Sequence, residues 1–406
     1  MKYANKTQNK HDRRISIRAL LVILALVTSI TLPTLRPPVT HAQPSGTVVG
    51  WGANFGGQLN IPGDLSGVVA ISAGFFHSLA LKSDGTVVGW GSNDSGEAAP
   101  PAGLVNVTAI AAGGSELAET GHSLALKSDG TVVGWGGFSG QGIPPAGLSG
   151  VVAISAGGIH SLALKSNGTV VGWGDNTFGE LNIPAGLSGV VAISAGEIHN
   201  LALKSDGTVV GWGNNNSGQL NIPAGLSGVV AISAGGAHSL ALKSDGTVVG
   251  WGSNFIGQAT PTAGLSGVMA ISAGLAHSLA LKSDGTVVGW GNNNFGQATP
   301  PAGLSGVVAI SAGFLHSLAL VSAFDLDDLI ALVNGLNVNQ GIQSSLLAKL
   351  NAATAALGAD DTATACTKLA DFINECNAQS GKKLSVEQAN ELIARANEIR
   401  ASIGCP

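Results

Sequence analysis

The sequence predicts an all-β seven-bladed propeller followed by an all-α helical bundle, and three observations predict it. Seven near-copies of V-V-A-I-S-A-G-x-x-H-S-L-A-L-K-S-D-G-T-V-V-G-W-G-x-N-x-x-G-Q fill residues 43–322. Tryptophans Trp51, Trp90, Trp135, Trp173, Trp212, Trp251 and Trp290 recur at intervals of 39, 45, 38, 39, 39 and 39 residues, and His77, His122, His160, His199, His238, His277 and His316 keep the same beat. Beyond Phe324 the apolar period changes from two to about 3.6. A period near forty, built from short strands and glycine turns, is that of a propeller with one four-stranded sheet per repeat.

In chain order, residues 1–42 read as an export signal. Lys10, Arg13, Arg14 and Arg18 precede an apolar run from Ala19 to Leu32, short for a membrane span and suited to a signal core. Thr40-His41-Ala42 places cleavage before Gln43; an uncleaved anchor is the alternative. The segment carries +6, so its loss takes the formal net charge from −5 to −11. Residues 43–323 contain six lysines, no arginine and thirteen carboxylates, a surface that repels phosphate backbones and excludes nucleic acid as a partner.

Each repeat divides into strand A (Val-Val-Ala-Ile-Ser), strand B (His-Ser-Leu-Ala-Leu-Lys), strand C (Thr-Val-Val-Gly-Trp-Gly) and a short strand D before each Ile-Pro or Pro-Pro. Ser-Asp-Gly joins B to C, its glycine supplying the positive φ of a tight hairpin. The repeats begin with C and D (Thr47–Ile61) and end after a B strand at Leu320, so the two halves are expected to pair and close the ring.

Antiparallel strands send the A–B and C–D turns to one rim and the B–C and D–A connections to the other. The second rim is monotonous. The first holds all eight propeller phenylalanines: Phe55, Phe138, Phe178, Phe255 and Phe295 in C–D turns, and Phe75, Phe76 and Phe314 in A–B turns. It also holds Asp94, Asp175 and Glu197, and a six-residue insertion within Gly114–Gly121 that carries Glu116 and Glu119. Aromatic side chains among acidic ones on exposed loops suit a protein partner. The competing reading folds the phenylalanines inward to plug the ring.

No catalytic or metal site is expected. The seven histidines lie one per blade, whereas zinc needs three or four ligands converging at about 2 Å. They read as hydrogen-bonding scaffold and the tryptophans as blade packing. Ser78, Ser123, Ser161, Ser239, Ser278 and Ser317 each follow a histidine, but adjacent strand residues point to opposite faces. Glu116 and Glu119 have the residue types for glycoside hydrolysis without a second supporting feature. Asp325, Asp327 and Asp328 lack the glycine and distal glutamate of a calcium loop and fit a helix start.

Residues 324–406 read as four short helices. Leu326, Leu329, Ile330 and Val333 mark the first, Ile342, Leu346, Leu347 and Leu350 the second, and Leu369, Phe372 and Ile373 the third. Ser385 and Gln388 form a capping box before the fourth, which carries Leu392, Ile393, Ala396 and Ile399. Cys366 starts helix three and Cys405 ends helix four, so antiparallel packing predicts their disulfide; Cys376, about 15 Å along the same helix as Cys366, is left a buried thiol.

The A-G-x-x-H-S-L-A-L and G-W-G-x-N-x-x-G-Q segments over residues 46–322 resemble the regulator of chromosome condensation repeat family, which implies a seven-bladed propeller. The shorter period and the I-P-A-G-L-S-G-V connection are similar to secreted bacterial members, including a β-lactamase-inhibitor propeller. That resemblance implies target contact through aromatic and acidic side chains on the corresponding rim. Here those positions hold phenylalanine where tyrosine and tryptophan are expected, and no tyrosine follows residue 42. The family's nuclear nucleotide-exchange activity does not carry over to an exported chain. G-I-Q-S-S-L-L-A-K-L-N-A-A and F-I-N-E-C-N-A-Q-S-G-K-K-L-S resemble the FIMAH domain of secreted bacterial proteins over nearly all of 324–404, which implies an accessory module.

The expectation is a secreted, non-catalytic binding protein without cofactor. Its partner is a protein, an extracellular enzyme or envelope component, with no stable membrane insertion after signal cleavage. Inhibition of a β-lactamase or transpeptidase is the alternative, and a polysaccharide-acting enzyme using Glu116 and Glu119 is the second.

Overall fold

The computed structural model describes residues 46–115, 120–322, 326–359 and 361–405, so the signal segment, Glu116, Glu119 and Asp325 lie outside the described residues. Seven A strands run Val68–Ala73, Val107–Ser115, Val151–Ala156, Val190–Ala195, Val229–Ala234, Val268–Ala273 and Val307–Ala312. The B strands are His77–Lys82, Thr120–Lys127, His160–Lys165, His199–Lys204, His238–Lys243, His277–Lys282 and His316–Val321. The C strands are Thr47–Gly52, Val87–Gly91, Val132–Gly136, Val170–Gly174, Val209–Gly213, Val248–Gly252 and Val287–Gly291. They form seven antiparallel sheets of three strands, each with B in the centre. Blades are numbered here from the A strand at Val68; blade 7 joins Thr47–Gly52 to His316–Val321, so the two ends of the repeat array share one sheet.

The B strand is buried on both faces because each blade is stacked between two others. Leu79 and Ala80 point to opposite faces and neither is exposed. Between blades 3 and 4, Ala153, Leu162 and Leu164 pack against Val190, Ile193 and Trp212. Burying each such leucine stabilises the ring by roughly 1.5–3 kcal/mol relative to leaving it exposed. A register shift after the first valine of A strands, as between Val190 and Ala192, adds local twist.

The fourth strand is not formed: residues 54–59 and their counterparts are turns. Side chains take the backbone donors that a strand would pair. Asn54 Oδ1 accepts the Leu59 N–H at 2.8 Å, Gln58 Oε1 accepts the Gly56 N–H at 2.8 Å, and Gly57 turns the chain at φ +80°.

The C-terminal unit has α1 (Leu326–Gly335), α2 (Gln340–Leu357), α3 (Thr362–Gln379) and α4 (Val386–Ser402). Leu329, Val333, Leu346, Leu350, Leu369, Phe372, Leu392, Ala396 and Ile399 form its core. Asp327 and Asp328 lie in the first turn of α1. Asp361 caps α3 through the Thr364 N–H, and the Ser385–Gln388 box is reciprocal, at 2.9 and 3.1 Å. Cys366 and Cys405 form a disulfide, and burial pushes the Cys376 thiol up to about 12. Among the described residues no helix is long and apolar enough to cross a membrane.

Candidate functional site

A closed circuit of hydrogen bonds runs through the propeller and holds the turns of one rim. Ser78 Oγ and Trp90 Nε1 both donate to the Gln58 carbonyl, at 3.1 and 2.8 Å. The Ser78 hydroxyl proton is thereby used, so Ser78 accepts from His316 Nε2, 3.1 Å away in the preceding blade. The same contact links His77 to Ser123, His122 to Ser161, His199 to Ser239, His238 to Ser278 and His277 to Ser317, at 2.9–3.0 Å. Blade 4 replaces serine with Asn200, whose Nδ2 donates to the Glu180 carbonyl while Oδ1 faces His160 at 2.6 Å. Burial depresses all seven imidazoles, His160 and His238 to about 4 and the other five to about 3, so each is neutral near pH 7.

This circuit corrects two details of the sequence reading. The histidines join blades rather than brace their own. Each does meet a serine or asparagine, but on the next blade and with the hydroxyl proton directed at a carbonyl. Ser78, Ser123 and their counterparts are fully buried, an arrangement for scaffolding and not for attack on a substrate. Among the described residues no three His, Cys, Asp or Glu side chains converge as a metal site.

The carbonyl that receives the tryptophan and serine belongs to the Gln or Glu ending each C–D turn. Its side chain caps the turn itself: Ser139 N–H to Gln141 at 2.7 Å, Ser217 N–H to Gln219 at 2.9 Å, Phe295 N–H to Gln297 at 2.9 Å. The turn is therefore fixed through its backbone while the intervening side chains remain free to vary. Phe255 is 94% exposed, Phe138 74% and Phe55 68%; Phe178 and Phe295 are exposed to a lesser degree. Phe55 and Phe295, on adjacent turns, meet edge to face at 5.2 Å.

The A–B phenylalanines behave differently. Phe75 packs on Phe76 and Phe314 at 4.2 and 4.4 Å, and Phe75 and Phe314 are buried. These three take the inward-packing arrangement. The A–B turns crowd the ring axis, where a Cβ on Gly235 would lie 2.4 Å from His238 Cε1 and 2.6 Å from the Gly274 carbonyl. The Ala-Gly ends of the A strands surround an axial cavity of about 120 Å³, bordered also by Glu197, Leu275 and Phe314. Ser115 Oγ donates to Glu197 at 2.7 Å. Asp94 is exposed and Asp175 half-buried, each in a C–D turn.

Two acidic residues were missed by reading the sequence, although the signal was present: Glu97 and Glu180 occupy the glutamine slot of the repeat. Both are buried. Glu97 accepts from Ser92 Oγ and Ser95 N–H, at 2.9 and 2.8 Å. Glu180 Oε2 accepts the Phe178 N–H, but Oε1 is buried without a partner. Burial, with Asp175 nearby, holds the Glu180 carboxyl above the usual range, whereas hydrogen bonds from Thr177 hold Asp175 below it.

The sequence pattern of the regulator of chromosome condensation (RCC1) repeat matches residues 68–97, 151–180, 190–219, 229–258 and 269–297, each spanning the A, B and C strands and the C–D turn. Prp20p from Saccharomyces cerevisiae is 20% identical, with 75% of this chain and 95% of that chain covered, at a TM-score of 0.59. The structure of Kap60 bound to yeast RCC1 (Prp20) contains a chain 20% identical, with 82% and 99% covered, at 0.60. Human WBSCR16 is also 20% identical, with 68% and 99% covered, at 0.55. No curated protein sequence matches the chain. The chain thus carries five regulator of chromosome condensation (RCC1) repeats, and its propeller shares the fold of these solved structures.

Proposed function

We propose that this chain is a secreted, non-catalytic module that binds a protein partner through the rim of A–B and C–D turns. The observation that carries the reading is the exposure of Phe255, Phe138 and Phe55 on turns fixed by their own Gln side chains. An aromatic side chain on a rigid turn gives up little conformational freedom on binding and supplies a large apolar contact. The charge distribution supports it. The six propeller lysines (Lys82, Lys127, Lys165, Lys204, Lys243, Lys282) all end B strands, on the opposite rim, so the aromatic rim carries carboxylates and no lysine or arginine. The yeast neighbour described for its binding of Gsp1p and histones is in keeping with an interaction use of such a ring. Export is supported by the basic and apolar pattern of residues 1–42, and a disulfide in the bundle suits an oxidising compartment.

The test is affinity capture from bacterial secretome and envelope extracts with residues 43–406 as bait, beside a Phe55→Ser, Phe138→Ser, Phe255→Ser control. A protein retained by the first bait and lost by the second is the expected result. Equal retention by both, or by neither, removes the rim as a binding surface.

A further inference from the structure

We infer that the axial cavity receives one lysine side chain of the partner, an inference that rests on the interaction reading above. The cavity lies where the A strands converge, at about 120 Å³. A dry apolar cavity of about 150 Å³ holds benzene, six non-hydrogen atoms. The space therefore suits the five atoms from Cβ to Nζ of lysine better than the seven of arginine.

The walls match the two ends of that side chain. Leu275 and Phe314, with the alanine methyls at the ends of the A strands, form an apolar surface for a methylene stem. Glu197 follows the A strand of blade 4, three blades from Phe314, and so faces it across the axis. Its carboxylate is oriented by the Ser115 hydroxyl at 2.7 Å. An ammonium group leaving water needs an anionic partner, which Glu197 supplies.

The field around the mouth favours the same occupant. Asp94, Asp175 and Glu197 lie on this rim, which has no lysine or arginine in its sequence. On the opposite rim, five of the six lysines are paired within their own turns: Lys82–Asp84, Lys127–Asp129, Lys204–Asp206, Lys243–Asp245 and Lys282–Asp284. A cation is thus drawn to the aromatic rim, and the cavity is the concave feature at its centre.

The test is methyl NMR of residues 43–406 labelled at alanine, titrated with Nα-acetyl-lysine methylamide and, separately, Nα-acetyl-norleucine methylamide, whose stem ends without the ammonium. Saturable shifts at Ala195, Ala234, Ala273 and Ala312 with the lysine amide are expected, in the millimolar range. The norleucine amide should bind at least tenfold more weakly. Glu197→Gln, with an unchanged urea midpoint, should weaken the lysine amide by a similar factor. Equal shifts from the two amides, or none, overturn the inference without recourse to any variant. A partner captured by Glu197→Gln bait but lost from the triple-phenylalanine control leaves the rim reading and removes the lysine pocket. Saturation by the lysine amide with no protein captured leaves the pocket and removes the rim reading.

Discussion

The hydrogen-bond circuit and the turns it anchors come from the same seven repeats, yet they vary in opposite ways. Among the side chains that make the circuit's bonds the only replacement is Asn200 for serine, and it reproduces both bonds, accepting from His160 and donating to the Glu180 carbonyl. In the turns, the position that holds Phe255 in one blade holds Asn216 in another, while the capping Gln beneath is unchanged. Positions that contact two blades are confined by the ring. Positions beyond the cap take no part in the circuit, and it is there that recognition can be varied at little cost to folding.

The largest expected effect tests the circuit by acid. Each imidazole is neutral in the folded state, with its value lowered from 6.5 to about 3 or 4. The sign follows from this: the folded ring resists protonation and the unfolded chain accepts it. The stability these groups contribute is complete above about pH 6.5 and is lost as the pH falls toward 4. Each contributes a slope of about 1.4 kcal/mol per pH unit in that window. Seven together exceed the roughly 5–15 kcal/mol of a typical fold within about two units. Urea unfolding followed by tryptophan fluorescence should show a collapse of the midpoint between pH 6.5 and 4.5; a flat midpoint would mean that the histidines are not the scaffold described.

Single changes within the circuit come next. His238→Ala leaves a cavity and removes the donor to Ser278, and should cost about 2–4 kcal/mol. Asn200→Ser writes the residue used in the other six blades and should stay within about 1 kcal/mol, since serine makes the same pair of contacts elsewhere. Denaturant titration at pH 7.5 separates the two. Similar losses from both would mean that position in the ring, rather than the bonds, sets the cost.

Beyond the cap the prediction inverts. Phe55→Ser, Phe138→Ser and Phe255→Ser together should leave stability within about 0.5 kcal/mol per site. The captured partner should nevertheless be lost by tenfold or more, the scale of a contact hot spot. A fall in the unfolding midpoint of the triple variant would place these rings in the packed structure and erase the contrast with the circuit.

Strands A, B and C were legible because the period-two alternation and the Ser-Asp-Gly hairpins state them directly. The fourth strand was misread because Asn54 and Gln58 look like ordinary polar turn residues, and only their side-chain bonds to backbone N–H groups show that no ladder partner is left. The four helices and the Ser385–Gln388 box followed from apolar spacing. The partner of each histidine did not follow, since His77 meets Ser123, 46 residues away, and not its neighbour Ser78. The two groups of phenylalanines also look alike in sequence. Only the ring geometry separates Phe75 and Phe314, drawn together near the crowded axis, from Phe138 and Phe255 at the outer turns.

The smallest effect lies where the constant and variable parts meet. Gln219 donates from Nε2 to Asn214, and Gln297 to Asn292 in the same way. Blade 3 has Glu180 and Asp175 at these two positions, and Glu180 Oε1 is left buried without a partner. Glu180→Gln restores a donor facing Asp175 and should stabilise the chain by about 1 kcal/mol at pH 7.5. Because the folded carboxyl titrates above its unfolded value, its penalty is complete above that raised value and disappears as the pH falls through it. The gain from Glu180→Gln should therefore shrink as the pH is lowered and the carboxyl takes up its proton. Glu97→Gln is the control, since Ser92 and Ser95 already satisfy that carboxylate and Gln258 shows an amide donating to serine in the same place. It should change stability by less than about 0.5 kcal/mol. Equal gains from the two substitutions would assign the effect to removal of a negative charge from an acidic rim, and not to the unpaired oxygen of Glu180.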